Sequence, residues 1–251
     1  MRRRAALRRL ADGVAGVRVS ATLLGGSPST ALIEEVVRGG HDLLVRSRAR
    51  DMVARGHGAY AAVDVQLFRR CPCPVLALGP GVAPARPRIV AAVHAAPGVA
   101  GSDDAHDLDR RVVTAAASMA ALDQGSVTLL HAWRPVGELS VMSHATDEEF
   151  TAFLEADRRA AASRLERMKQ QPGVPSAARV ELRHGTPEVV IPEFIVAEGA
   201  DTLVIGSVGR TGVSGLLRGN TVERILAALP CSVLVIKPRR FALPVIVDVP
   251  A

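Results

Sequence analysis

The chain has 251 residues, of which 48% are hydrophobic and 3% are aromatic, so it is long enough for one large or two small domains. The formal net charge is +6, but scattered arginines and scarce aromatic residues disfavour a nucleic-acid-binding protein. No apolar run approaches the roughly 20 residues that span a bilayer, and no apolar secretory core follows the basic N-terminus. We therefore expect a cytoplasmic protein without a membrane partner.

Two segments of the chain carry the same anchors in the same order. Gly-Ser-Pro at 26–28 and Gly-Thr-Pro at 185–187 begin 16 positions before Asp42 and Asp201. An apolar run that starts with cysteine follows 31 residues after Asp42 and 30 residues after Asp201. Two copies of one domain are the simplest explanation.

This repeat sets the predicted domain boundaries. We predict an incomplete, degenerate first copy over residues 1–80 and a complete second copy over residues 88–238. The Pro- and Gly-rich segment 81–87 is the predicted linker, and residues 239–251 are a C-terminal tail. The two copies are expected to pack as an internal pseudo-dimer, with a homodimer as a further option.

The first copy is shorter than the second. Asp201 lies 113 residues after Arg88, whereas Asp42 lies only 41 residues after Met1, a difference of 72. We expect Met1 to be an internal methionine of a longer reading frame, or the sequence to be a fragment. The alternative is a short protein that fills the gap by pairing with another chain.

Strands and helices alternate through the second copy, which indicates a parallel sheet covered by helices on both faces. The predicted strands are 88–94, 126–133, 179–183, 202–205 and 232–236, and the predicted helices are 104–122, 147–170, 187–198 and 222–229. The predictions for the first copy are a helix end at 2–10, a strand at 17–23 and a helix at 64–71.

A glycine-rich loop separates the strand at 202–205 from the helix at 222–229. It holds Gly206 and Gly209, and nine residues later Gly219 followed by Asn220-Thr221. Glycine lets a backbone approach a ligand closely, and the free N–H groups at a helix N-terminus favour a phosphate. The loop therefore predicts an anion site. A structural glycine loop is the alternative.

The pattern G-x2-G-x9-G, with its flanking strand and helix, resembles the nucleotide loop of the universal stress protein family. The resemblance is to its tandem-domain members. It implies an α/β fold of two tandem Rossmann-like, adenine-nucleotide alpha-hydrolase-like domains with parallel five-stranded sheets, the first of them truncated. In the first copy, the run Arg-Ser-Arg-Ala-Arg at 46–50 stands in place of the glycine pair, so no nucleotide is expected there.

The resemblance also implies a site in the second copy. ATP would contact the backbone at the glycine loop: Gly206, Ser207, Gly209, Gly219, Asn220 and Thr221. His94 stands where ATP-binding members have an acidic residue, and Ala132 where main-chain groups read adenine. This departure at His94 weakens the prediction of ATP binding. No metal is required beyond any magnesium carried with ATP.

Other polar residues and the cysteines give weaker signals. His131 is expected in the core, and His184 at the ligand mouth or on the surface. The cluster Asp103, Asp104, Asp107 and Asp109 lies near a helix start, where the dipole stabilises carboxylates without a metal. Cys71-Pro-Cys73 lacks redox or zinc spacing, and we expect Cys73 and Cys231 to be buried packing residues.

The resemblance implies a stress-response regulator that binds nucleotide or phosphate and is not an enzyme. Two alternatives remain. One is a tandem stress protein that binds a lipid, another small molecule or a protein partner in place of ATP. The other is a slow ATPase.

Overall fold

A single seven-stranded sheet runs through the computed structural model, which describes residues 2–47, 62–80, 84–94, 103–207, 225–226, 229–239 and 241. Its strands are β1 (Leu44–Ser47), β2 (Val75–Leu78), β3 (Arg88–Ala92), β4 (Ser126–Trp133), β5 (Arg179–His184), β6 (Thr202–Gly206) and β7 (Ser232–Ile236). Their order is β1-β2-β7-β6-β3-β4-β5, and every neighbouring pair is parallel except β2 and β7.

The described residues also form helices. They are α1 (Arg2–Asp12), α2 (Pro28–Gly39), α3 (Ala62–Arg70), α4 (Asp103–Leu122), α5 (Glu138–His144), α6 (Asp147–Lys169) and α7 (Pro187–Glu198). Ile225 and Leu226 are also helical. Within the described ranges, no helix is both long and apolar enough to cross a bilayer.

The α/β class and most element boundaries are as predicted, but one mixed seven-stranded sheet replaces the expected separate sheets of a truncated and a complete domain. The first copy supplies only β1 and β2, and these extend the five strands of the second copy into one mixed sheet. The physical reason is the free edge of β7. Its backbone groups pair with β2 instead of remaining exposed.

Strand side chains alternate between two cores. On one face, Leu203 and Ile205 of β6 pack with α2, α3 and α7; on the other, Val204 packs with α4 and α6. All five residues of β6 are buried. A strand buried on both faces reads as a continuous apolar run, which is why β6 could be recognised from the sequence.

The repeated motifs have structural roles. Both α2 and α7 have proline near the start and end in a left-handed glycine, Gly40 or Gly199, as helices with these signals do. Asp201 anchors the start of β3, since its Oδ2 accepts the backbone N–H of Arg88 at 2.7 Å. Its neighbour Ser232 donates its N–H to the Asp201 carbonyl at 3.0 Å.

β2 and β7 are equivalent strands of the two copies, and their antiparallel pairing places equivalent positions opposite each other. Leu76 lies opposite Leu234, and these two leucines occupy equivalent positions in the two cysteine-initiated runs. On either side, Val75 faces Val235 and Ala77 faces Val233. A two-fold axis relating the two runs would therefore pass between Leu76 and Leu234.

The predicted strand at 17–23 is wrong. The structure describes this whole segment, and it forms no strand. Val17 is 67% exposed and Leu23 is 48% exposed. A strand is stable only with a hydrogen-bonded neighbour, and β4, the strand that pairs with the equivalent β5 in the second copy, has no described counterpart beside this segment.

The end of β1 differs from the end of β6. Arg46 forms a buried ion pair with Asp64 of α3, and burial lowers the pKa of Arg46. In the second copy the position equivalent to Arg46 is Ile205, which packs in the apolar core. Residues 48–61 lie outside the described residues, so the expectation that no nucleotide binds there stays a prediction.

Candidate functional site

The candidate site lies where the strand order reverses. The chain passes from β3 to β4 on one side, while β6 lies against β3 on the other. In open parallel sheets, ligands bind in the crevice at the carboxyl ends of strands at such a point. His94, Ala132 and Gly206, all predicted site residues, come together here around one cavity.

The cavity is small and mostly apolar. Its volume is about 40 Å³, which leaves room for a few water molecules. Its lining residues come from the ends of β3, β4 and β6 and from the start of α7: Ala92, Val93, His94, Leu130, His131, Ala132, Pro187, Ile191, Ile205 and Gly206.

His94 is hydrogen-bonded to a carboxylate that the sequence placed in the acidic cluster near a helix start. Its backbone N–H donates to Asp109 Oδ1 at 2.9 Å. Asp109 is 3% exposed, and burial raises its pKa to about 7 against the opposing effect of this hydrogen bond. The helical spacing could have revealed the burial, since Asp109 lies three and four positions before the buried Val112 and Val113.

His131 is a buried neutral base beside His94. Its side chain is 4% exposed, as expected for a core residue. Nδ1 donates to the Val93 carbonyl at 3.0 Å, which fixes the tautomer with the lone pair on Nε2. Burial, with smaller contributions from His94 and Arg164 and against the effect of this hydrogen bond, lowers the pKa of His131 to about 4. The two imidazole rings meet edge to face, with centroids 6.2 Å apart.

Gly206 is required by packing at the end of β6. A Cβ atom at this position would lie 2.8 Å from the Leu108 side chain of α4, which is closer than van der Waals contact. Part of the glycine signature therefore has a structural cause that is independent of any ligand. The side chain of Leu108 is completely buried, so it has little space in which to move.

Ser207 is buried and its backbone N–H is already used. That N–H donates to the Ile236 carbonyl at 2.9 Å, as a continuation of the β6–β7 ladder. A phosphate contact from Ser207 would therefore have to come from Oγ. The remaining predicted loop residues, Gly209, Gly219, Asn220 and Thr221, lie outside the described residues and stay predictions.

Lys237 is the residue near this edge that the sequence reasoning missed. Its side chain is 1% exposed, and its Nζ lies 3.4 Å from Ser207 Oγ. Nζ also donates to the Phe68 carbonyl at the end of α3. Burial lowers the pKa of Lys237 to about 7. Its position directly after the apolar run 232–236 was the available signal, because that places it beside the loop after β6.

His184 lies at the neighbouring strand end, where it contacts a carboxylate. Its Nε2 is 2.7 Å from Glu138 Oε1, and Arg134 Nε donates to Glu138 Oε2 at 2.7 Å. The ring of His184 packs edge to face on Trp133, with centroids 4.9 Å apart. This cluster holds the unpredicted helix α5 against β4 and β5.

The same region carries a family match. The universal stress protein family model matches residues 98–237, which is more than half of the chain. The chain belongs to the universal stress protein family. Among the residues that the structure describes, no three His, Cys, Asp or Glu side chains cluster closely enough to hold a metal ion.

Curated relatives extend the similarity into the first copy. Universal stress protein E of Escherichia coli K12 is 29% identical over 228 residues, which are 88% of this chain and 68% of that protein. The protein of the same name from Photorhabdus laumondii is 29% identical over 223 residues, covering 87% of this chain and 68% of the relative. The similarity therefore includes most of both copies.

Solved structures show the same architecture. A functionally unknown protein from Pseudomonas aeruginosa PAO1 has a TM-score of 0.71 and 27% identity, over 94% of this chain and 78% of that one. A putative universal stress protein from P. aeruginosa UCBPP-PA14 also has a TM-score of 0.71, with 26% identity and the same coverage.

The packing of Gly206 predicts the effect of one methyl group. We expect Gly206→Ala to lower the free energy of unfolding by roughly 1–3 kcal/mol, because Leu108 must move within a filled core. Gly25→Ala is the matched control, since a Cβ there meets no atom within 4 Å. Urea denaturation would measure both. Equal stability of the two variants would contradict the packing argument.

The buried pair Asp109 and His131 predicts opposing pH dependences. Asp109 binds its proton more tightly when folded, so it withdraws about 4 kcal/mol of stability as pH rises from about 4 to 7. His131 binds its proton less tightly when folded, so it adds about 3 kcal/mol as pH rises from about 4 to 6.5. The two effects largely cancel in the natural protein.

Single substitutions should separate these contributions. In Asp109→Asn, stability should rise between pH 4 and 6.5; in His131→Asn, it should fall over the same range. Urea denaturation at several pH values measures both slopes. Parallel pH profiles for the two variants would show that these groups do not titrate as buried residues.

Proposed function

We propose that this chain is a tandem universal stress protein whose second copy binds a nucleotide or phosphate ligand and acts as a regulator rather than as a catalyst. The observation that carries this proposal is the meeting of His94, Ala132 and Gly206 at the strand-order reversal. The ligand site implied by the glycine loop would begin directly beyond Gly206. Some members of the family bind ATP.

The tandem arrangement is supported by the symmetric register at β2 and β7. Equivalent leucines, Leu76 and Leu234, face each other across the antiparallel pair. In this proposal the first copy is a degenerate partner that packs on the second. Its Arg46–Asp64 ion pair takes the place of apolar packing at the end of β1.

The charges at the carboxyl ends of β3, β4 and β6 suit an anionic ligand, because His94 replaces the acidic residue of ATP-binding members. His131 is neutral at pH 7, and burial lowers the pKa of His94 as well. Lys237 supplies a buried Nζ donor close to Ser207. A phosphate therefore meets no fixed negative charge from His94. The ribose, in contrast, lacks the acidic partner that it has in ATP-binding members.

ATP affinity of His94 variants tests the proposal. A carboxylate that accepts two ribose hydroxyls contributes about 1.5–3 kcal/mol per charge-assisted bond, so His94→Asp should bind ATP at least roughly tenfold more tightly than the natural protein. His94→Asn is the neutral control and should show no gain. Isothermal titration calorimetry on the full chain measures all three affinities.

A loop variant completes this experiment. Gly209→Val should abolish ATP binding in the natural and His94→Asp backgrounds, since a β-branched residue restricts the backbone of the predicted phosphate loop. If no folded variant binds ATP at millimolar concentration, the nucleotide proposal is wrong. Phosphate release above background in bound samples would instead support the slow ATPase.

A second candidate is favoured by the apolar lining of the cavity. Leu130, Ile191 and Ile205 contribute hydrocarbon surface, which suits the end of a lipid chain or a small apolar group of another molecule. Native mass spectrometry of the purified protein should then show a co-purifying mass. Ala132→Leu would narrow the cavity and remove that mass, whereas Ala62→Leu, at an exposed helix position, would retain it. Retention in both variants would exclude this cavity.

A further inference from the structure

A close pair of thiols lies at the seam between the two copies, which is the region around the antiparallel pair β2 and β7. Cys71 Sγ lies 3.5 Å from Cys73 Sγ, although the sequence spacing suggested packing residues only. Cys71 is fully buried and Cys73 is 7% exposed. A disulfide bond joins sulfur atoms about 2.05 Å apart, so bond formation would require them to approach by about 1.5 Å.

A buried ammonium lies beside this pair. Continuation of the antiparallel β2–β7 register places Cys73 opposite Lys237. Lys237 Nζ donates to the carbonyl of Phe68, three residues before Cys71. The hydrogen bond with Cys73, with a smaller contribution from Lys237, lowers the pKa of Cys71 against the opposing effect of burial, whereas the same hydrogen bond and burial both raise the pKa of Cys73. Cys71 is therefore the thiol that ionises first.

The third cysteine provides an internal comparison. Cys231 is equivalent to Cys73 in the repeat and is equally buried, at 6% exposure. The residue equivalent to Cys71 is Leu229. The repeat thus has a thiol at one shared position in both copies, and only the first copy has a second thiol two residues before it.

We propose that Cys71 and Cys73 form a redox-active dithiol at the seam, which a hydroperoxide converts to a reversible disulfide. The Cys71 thiolate attacks one peroxide oxygen, which gives a sulfenic acid and releases hydroxide. The Cys73 sulfur then attacks the sulfenic sulfur, forms the S–S bond and releases the second oxygen as water. Two thiols lose two electrons and two protons, and hydrogen peroxide is reduced to two water molecules.

The burial of the pair selects the oxidant by size. Hydrogen peroxide is close to water in size, so it can reach sulfur through brief local opening of the seam. Glutathione disulfide is far larger, and the completely buried Cys71 offers it no surface. The dithiol should therefore respond to peroxide and resist exchange with glutathione disulfide.

Peptide mass spectrometry of the full-length protein tests this proposal. Trypsin cleavage after Arg70 releases Cys71 and Cys73 in one peptide, and Cys231 in another. After peroxide treatment of the folded protein, we expect the first peptide to lose two hydrogen atoms and to resist alkylation, with full reversal by dithiothreitol. Cys231→Ser should oxidise at the natural rate, because it leaves the pair intact.

A charge variant tests the role of Lys237. Lys237→Met keeps the buried hydrocarbon stem and removes the ammonium, so oxidation should be roughly tenfold slower if the pKa of Cys71 rises by one unit. Peroxide oxidation in the natural protein that adds oxygen to the cysteines without forming the S–S bond would overturn the proposal. So would equal or faster oxidation of Cys231, or glutathionylation of Cys71 in the folded protein.

Discussion

The antiparallel hydrogen bonds between β2 and β7 hold the first copy in place. Without them, β1 and β2 would be a two-stranded parallel pair, and such a small sheet is not stable alone. The pairing also satisfies the edge of β7, which is otherwise a row of free backbone groups. The apolar core formed by α2, α3 and α7 then continues across the seam, since residues from both copies belong to the same cluster.

The seam also determines the environment of the candidate site. β7 pairs with β6, and the ladder continues from Ile236 to Ser207, at the first residue beyond β6. Lys237 follows directly and contacts both Ser207 and the Phe68 carbonyl of the first copy. One buried side chain, that of Lys237, therefore connects the first copy to the start of the glycine loop.

The elements of the second copy were predictable because their sequence patterns have local causes. Thr146 and Glu149 form a complete capping box at the start of α6, and the apolar run of β6 reflects burial on both faces. The prediction of a strand at 17–23 failed because β-propensity has no effect without a partner strand. Helix α5 was missed because one of the contacts that fix it, between Glu138 and His184, joins residues distant in sequence.

The candidate site was only partly predictable for a similar reason. A motif identifies residues that share a loop, so it located Gly206, and the resemblance added His94 and Ala132 at neighbouring strand ends. The motif could not identify Asp109 or Lys237, whose relevance depends on which distant groups bury them.

The motif also could not show whether a glycine is present for ligand binding or for packing. The contact that Gly206 makes with Leu108 is a packing requirement, so this glycine would be needed in a protein that had lost its nucleotide. The residue at 94, whose side chain lines the cavity, therefore tests for a ligand site more directly than Gly206 does.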